Sequence, residues 1–257
     1  MTDVILETRL LTREFKGFTA VSEVNLQVRR GHIHALIGPN GAGKTTCFNL
    51  LTRFLAPTSG QILFNGRDIT KLTPVQVARL GIIRSFQISA VFPHLSVLEN
   101  VRIGLQRRFG SSFQFWRSDR VLKQWDAQAM ALLETVDLAA LADVKTVDLP
   151  YGRKRALEIA TTLAMEPELM LLDEPTQGMG HEDVHRVTEL IQRVSAGRTI
   201  LMVEHNMQVV SGICDRISVL QRGALLAEGS YAEVSSDPRV MEAYMGSSDA
   251  ELQGAHG

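Results

Sequence analysis

Nine residues of this sequence have the types and spacing to hold a phosphate chain: Gly38, Pro39, Asn40, Gly41, Ala42, Gly43, Lys44, Thr45 and Thr46. They fit the pattern G-x-x-x-x-G-K-[ST]. The glycines let the backbone curl so that several N–H groups point at one anion. A helix beginning there adds its partial positive charge. Lys44 is placed to reach the β- and γ-phosphates, and the Thr45 hydroxyl to hold Mg²⁺. A second group of residues is acidic: Asp173 and Glu174 follow the apolar run Leu169-Met170-Leu171-Leu172. A buried strand that ends in carboxylates is the usual second half of a phosphate-loop ATPase site. There Asp173 would hold Mg²⁺, directly or through water, and Glu174 would orient and deprotonate the attacking water. His205 stands just past another apolar run, Thr199 to Val203. It is either a satisfied structural histidine or a group that hydrogen-bonds the γ-phosphate.

These groups need elements to position them. His32 to Ile37 reads as a buried strand leading into the loop, and Thr45 to Leu55 as a helix with Phe48, Leu51 and Leu55 on one face. Strand, loop and helix together are the context the pattern requires. A plain glycine turn before a core helix is disfavoured by Lys44-Thr45 and by both flanks. A dinucleotide loop is disfavoured because G-x-G-x-x-G does not fit.

Residues 4 to 30 alternate apolar and polar and predict antiparallel strands, with Arg29-Arg30-Gly31 as a turn. Phe15 and Phe18 lie between them, suited to local packing or to stacking on a base. Gln61 to Gly66 predicts a strand ending in an Asn-Gly turn. A short helix over 75–80 and a strand ending at Gln87 follow. From 88 to about 150 the pattern turns helical. Leu98, Val101 and Leu105 recur at helical spacing, and so do Val121, Leu122, Trp125, Ala129, Leu132, Leu133 and Val136. Phe109, Phe113, Phe115 and Trp116 cluster near arginines, as a partner surface or a local core. Strand patterns resume at 169–174, with a helix over His181 to Val194, a strand over 199–205 and a hairpin about Gly223. The small, polar residues 247–257 predict a frayed tail. Strands alternating with helices around a phosphate loop imply an α/β fold with nucleotide at the strand C-terminal ends.

Composition narrows the function. Lys and Arg number 27 against 28 Asp and Glu, a balance that disfavours a general nucleic-acid binder. Two cysteines, Cys47 and Cys214, are too few for a Cys₄ zinc site or a disulfide framework. No signal peptide is expected from Met1 to Glu7, and no run approaches the roughly 18 apolar residues of a membrane span. Service to a membrane would therefore run from the cytoplasmic face, through a partner.

Five motifs stand in one order: Gly38 to Thr46, Gln87 after a strand, Leu149-Pro150-Tyr151-Gly152-Arg153, Leu169 to Pro175, and His205. In these the chain resembles the ATP-binding subunit of an ABC transporter, over residues 4 to about 246. The resemblance implies a phosphate-loop NTPase core with an antiparallel β subdomain and a helical subdomain inserted at about 88–155. One such domain would span 1–246. It implies ATP and Mg²⁺ as cofactors. Phe15 matches the aromatic that stacks on adenine. Gln87 matches the glutamine that contacts Mg²⁺ and the attacking water. Tyr151 and Gly152 match the signature that binds the γ-phosphate of a second subunit's ATP. Glu174 matches the catalytic base and His205 the switch histidine. A head-to-tail pair of ATP-binding subunits, identical or different, would drive two membrane permease subunits from the cytoplasmic face of the inner membrane.

The family's common signature has serine, glycine and glutamine where this chain has Pro150, Tyr151 and Arg153, and a fourth departure lies at Gly180. Pro150 replaces the signature serine and offers neither hydroxyl nor N–H, removing a phosphate bond worth roughly 1.5–3 kcal/mol. The Gly152 N–H, at the start of a helix expected over Lys154 to Ala164, remains. Gly180 stands where an aspartate usually crosses to the partner. Pro-Tyr-Gly with Leu157-Glu158-Ile159-Ala160, Val101 to Leu105, and the ending Asp237 to Gly246 resemble the branched-chain amino-acid importer subfamily, which works with a periplasmic binding protein. Two other readings stay open: a soluble mechanochemical ABC ATPase, and the ATPase of an exporter such as lipopolysaccharide export.

Overall fold

The computed structural model describes residues 3–85, 91–108 and 123–245. Its centre is a six-stranded sheet ordered β11-β10-β4-β9-β8-β7. The strands are β4 (Ile33–Ile37), β7 (Ile82–Ser85), β8 (Leu169–Asp173), β9 (Thr199–Val203), β10 (Arg216–Gln221) and β11 (Ala224–Gly229). All are parallel except β11, which closes the edge as a hairpin with β10. Every residue of β4, β8 and β9 is buried. Strands covered on both faces read as continuous apolar runs, and that is how these stood out in the sequence.

Alternation along the strands feeds two cores. Ile33, Ala35, Ile37, Met170, Leu172, Ile200 and Met202 join the helical side. Leu36, Leu169, Leu171, Leu201 and Val203 join the other, with α1 (Lys44–Leu51) and the second sheet. That second sheet is antiparallel, ordered β2-β1-β5-β6 with β3 also on β1. It comprises β1 (Val4–Phe15), β2 (Phe18–Val24), β3 (Gln27–Arg29), β5 (Ser59–Phe64) and β6 (Arg67–Asp68). Two sheets and a helical layer agree with the predicted fold class.

The helical side holds α3 (Val97–Arg108), α4 (Asp126–Thr135), α5 (Tyr151–Leu163) and α6 (His181–Val194). Val101, Leu105, Ala129 and Leu133 are buried against Leu157 and Ala160 in one cluster. The short helices are α2 (Pro74–Arg79), α7 (Met207–Ile213) and α8 (Tyr231–Ser235), and residues 238–245 are also helical. The aromatics at 109, 113, 115 and 116, Gln87 and the tail lie outside the described residues.

Several boundaries differ from the expectations. α1 ends at Leu51 because Arg53 takes φ +61°, so Leu55 packs from beyond the helix. β5 begins at Ser59, two residues before the expected Gln61, since Ser59 already pairs with Thr12. α5 starts at Tyr151, three residues early, with Pro150 as an extended N-cap at φ −58° and ψ 157°.

Candidate functional site

The phosphate-binding loop joins β4 to α1 and is strapped from behind. Gly38 has φ +149°, and a Cβ there would lie 2.1 Å from the Leu220 carbonyl oxygen. Gly43 has φ +100°, and its Cβ would lie 2.4 Å from the Ala20 carbonyl oxygen. The Gly223 N–H, in the β10–β11 turn, donates to the Ala42 carbonyl at 3.0 Å, and the Ser22 N–H donates to the Gly223 carbonyl at 2.8 Å. The hairpin and β2 thus hold the loop's outer side. No side chain caps α1, so its first amides are donors for an anion.

Lys44 lies over the loop, with Nζ donating to the carbonyls of Gly38 at 2.7 Å and Pro39 at 3.0 Å. Burial lowers its pKa, while the charges of Glu174 and Asp173 oppose that shift. Because β4, β9 and β8 run parallel, the loop that follows β4 and the acids that end β8 leave the sheet at the same end. Thr45 is exposed and Thr46 half-buried.

The acids leave β8 beside β9. Asp173 pairs with Val203 in register, and the Glu174 N–H donates to the Val203 carbonyl at 2.9 Å. Glu174 takes φ +45°, a region a non-glycine residue occupies only when its surroundings impose it. Its Oε1 lies 2.8 Å from Nε2 of His205, which follows β9. Asp173 is 1% exposed. One of its oxygens pairs with Arg84 of β7, whose other arm donates to Asn49 Oδ1 at 2.6 Å. The other, Oδ1, is buried and accepts no hydrogen bond among the described residues. A buried carboxylate oxygen without a donor suits a cation. No cluster of three or more His, Cys, Asp or Glu stands ready among those residues. Mg²⁺, which keeps waters and phosphate oxygens in its shell, does not need one.

The remaining expected residues lie as follows. Phe15 ends β1, half open to solvent, with the Arg13 guanidinium 4.6 Å from its ring centroid. Phe18, opposite it in register, is more exposed. Tyr151 is 53% exposed at the start of α5. Gly152 packs so tightly on Asp183 that a Cβ would lie 2.8 Å from Oδ1. Gly180 is the N-cap of α6.

Four residues that the sequence reading gave no role shape the site. Arg84 holds Asp173. Arg155 and Glu158 form a buried pair in α5. Glu204 accepts from the Thr176 N–H at 3.1 Å with one oxygen, and from the His205 and Asn206 N–H groups at 2.7 and 3.0 Å with the other. Glu158, between Leu157 and Ile159, is the clearest signal of the four in the sequence, a charge set among apolar residues.

The sequence pattern of the ABC transporter family matches residues 21–177. That of the branched-chain amino acid ATP-binding cassette transporter matches residues 224–250. The chain is 36% identical to the high-affinity branched-chain amino acid transport ATP-binding protein BraF of Pseudomonas aeruginosa, over 96% of this chain and 99% of that one. It is 37% identical to LivG of Salmonella typhimurium, with the same name and the same shares. Among solved structures, a nucleotide-free ATP-binding cassette from an ABC transporter superposes with a TM-score of 0.82 at 30% identity, covering 94% of this chain and 98% of that one. A cassette in its ADP conformation gives 0.83 at 30% identity, covering 95% and 100%. A phosphate loop, an acid pair and a histidine on one edge of this sheet, matched along almost the whole chain, make it a member of the ABC transporter ATP-binding family.

Proposed function

We propose that this chain binds ATP with Mg²⁺ and hydrolyses it to power a membrane importer of branched-chain or related amino acids. The observation that carries the chemistry is that the parallel strands β4, β8 and β9 end side by side, at Lys44's loop, Glu174 and His205, the last two in contact. The names of the full-length relatives and the match over 224–250 support the cargo class.

Residues 38–46 bind the phosphates through backbone N–H groups, and Lys44 exchanges its loop carbonyls for phosphate oxygens. Phe15 stacks on adenine with its free face, the other being covered by Arg13. Glu174 takes the proton of the attacking water, and His205 holds that carboxylate and hydrogen-bonds the γ-phosphate. Thr45, Asp173 and Gln87 would hold Mg²⁺, which when bound would supply positive charge to offset what develops on the transferring phosphate. Tyr151 and the first amides of α5 serve the ATP of a second subunit, identical or related. Pro150 leaves that contact to backbone donors.

We assign residues 1–246 to one ATP-binding domain, with a helical subdomain at about 88–155 and a tail at 247–257. No helix among the described residues is long and apolar enough to cross a membrane. Two permease subunits would anchor the chain at the cytoplasmic face of the inner membrane, fed by a periplasmic binding protein. A cleft of about 480 Å³, rimmed by the exposed Phe54, Val75 and Phe92, offers an apolar seat for a permease segment.

The test is Glu174→Gln, tagged and expressed in its own host. Membranes solubilised with ATP and Mg²⁺ should yield the variant with two multi-span permeases and an ATPase partner. Capture of soluble factors alone would move the function to a mechanochemical ATPase, and an export apparatus would reverse the direction of transport.

A further inference from the structure

α5 carries a guanidinium deep inside the protein. Arg155 is 6% exposed. Its Nε donates to the Pro175 carbonyl at 3.1 Å. Its Nη2 donates to the carbonyls of Asp173 at 2.9 Å and Glu174 at 3.0 Å. Its Nη1 donates to Glu158 Oε2 at 2.7 Å. Three consecutive carbonyls of the acid turn therefore converge on one side chain. Glu158 is 5% exposed. Burial raises its pKa and the Arg155 charge opposes that rise.

The convergence follows from the backbone. Glu174 sits at φ +45°, which turns the chain sharply after β8. Carbonyls buried at such a turn need donors, and neighbouring strands cannot supply them once the ladder has ended. A planar fork with five N–H groups can serve several acceptors and a carboxylate together, which a lysine cannot.

We infer that Arg155, held by Glu158, is a positioning residue that fixes the backbone around Glu174 and so sets where its carboxylate points. The inference rests on the reading of Glu174 as the base. It gives a role to the Leu157-Glu158-Ile159-Ala160 stretch that the nucleotide contacts leave unused. It also ties α5, whose first turn carries Tyr151 and Gly152, to the acid of the same chain.

Two variants test it in the full chain. Arg155→Lys keeps the charge and loses the fork. The double variant Arg155→Met with Glu158→Met replaces a buried ion pair by apolar groups of similar size, an exchange that folded proteins often tolerate. Both should bind a fluorescent ATP analogue within about threefold of wild type while kcat falls about 100-fold. Arg155→Lys should keep the melting temperature. The double variant, which strips donors from the turn carbonyls, should fold but melt lower. Glu158→Gln, which keeps an oxygen for Nη1, should lose less than Glu158→Met.

Wild-type kcat in Arg155→Lys overturns the inference. So does a parallel loss of folding, nucleotide affinity and rate in the double variant, since that marks a merely structural pair. Glu174→Gln in the same assay separates the two claims. If it hydrolyses ATP like wild type, the reading of Glu174 falls and the inference with it. If it is dead while Arg155→Lys is unimpaired, the inference alone falls.

Discussion

Nε2 of His205 stands 2.8 Å from Oε1 of Glu174, across 31 positions of sequence. The contact is made by the register of β8 on β9, which sets Asp173 beside Val203 and releases both chains at the same edge. Each residue then limits the other, because the imidazole holds one of the two carboxylate oxygens.

His205→Ala should therefore cut kcat without cutting nucleotide affinity. A positioned proton acceptor contributes about 10²–10⁴-fold, so a loss of about 100-fold is expected once the carboxylate can swing. Affinity for the ATP analogue should stay within about threefold, because the loop amides and Lys44 are untouched. Stopped-flow binding beside steady-state hydrolysis reads both. A loss confined to affinity would move His205 out of the chemistry and into phosphate recognition alone.

Gly43→Ala should disable the loop from behind. The new methyl would stand 2.4 Å from the Ala20 carbonyl, on a residue at φ +100°. Neither can relax without moving β2 or the Gly223 turn that holds Ala42. The expected cost is about 1–3 kcal/mol of stability, with nucleotide binding lost at concentrations that saturate wild type. Gly41→Ala makes no such collision, its Cβ position being open. It should retain more stability than Gly43→Ala in the same urea titration. Equal stability would show that the strap behind the loop yields freely.

Much of this was legible in the sequence, for a physical reason. The site's strands are buried on both faces, so they write themselves as apolar runs, and the chemistry sits where each run stops: Gly38, Asp173, His205. Helix starts set by backbone geometry were less legible. Lys154 looked like the first residue of α5 because Pro150 and Gly152 break helices in their interior, whereas at the N-terminus neither costs a hydrogen bond. Arg84, Arg155 and Glu204 were missed because their partners are distant in sequence: Asp173, the carbonyls of 173–175, and Thr176. A buried charge announces itself only as an oddity in an apolar stretch, and its partner is known only after folding.

Glu204 shows what such a residue does. It is 3% exposed, and its two oxygens serve the turns after β8 and β9. Glu204→Ala would leave the buried Thr176 N–H and the part-buried N–H groups of His205 and Asn206 without this acceptor. A loss of about 1–3 kcal/mol is expected, set mainly by the buried group. Glu204→Gln keeps one acceptor oxygen and should lose less. Urea unfolding of both variants gives the comparison. An Ala variant as stable as wild type would mean that water replaces the carboxylate and that the two turns stand without it.

His34 makes the protein's stability depend on pH. It is 0% exposed in the middle of β4, and its Nε2 lies 2.8 Å from Ser218 Oγ. Ser218 donates in turn to Glu228, which also binds Arg216. Burial first, then the charges of Arg216, His32 and Arg29, push its pKa down to about 3. The folded protein therefore holds this ring neutral, while in the unfolded chain it protonates near pH 6.5. Between about pH 6.5 and pH 3 the unfolded state binds the extra proton, so stability falls as pH falls, and above that window the contribution is complete and flat. At pH 5.5 the loss should be about 1.4 kcal/mol relative to pH 7.5. Carboxylates also titrate on the way down, so the quantity to read is the difference between wild type and His34→Gln. Their unfolding free energies should converge by about 1.4 kcal/mol between pH 7.5 and 5.5 if the buried ring is the source. Parallel curves would assign the acid sensitivity to other groups, and with it remove the need for a neutral imidazole under the sheet.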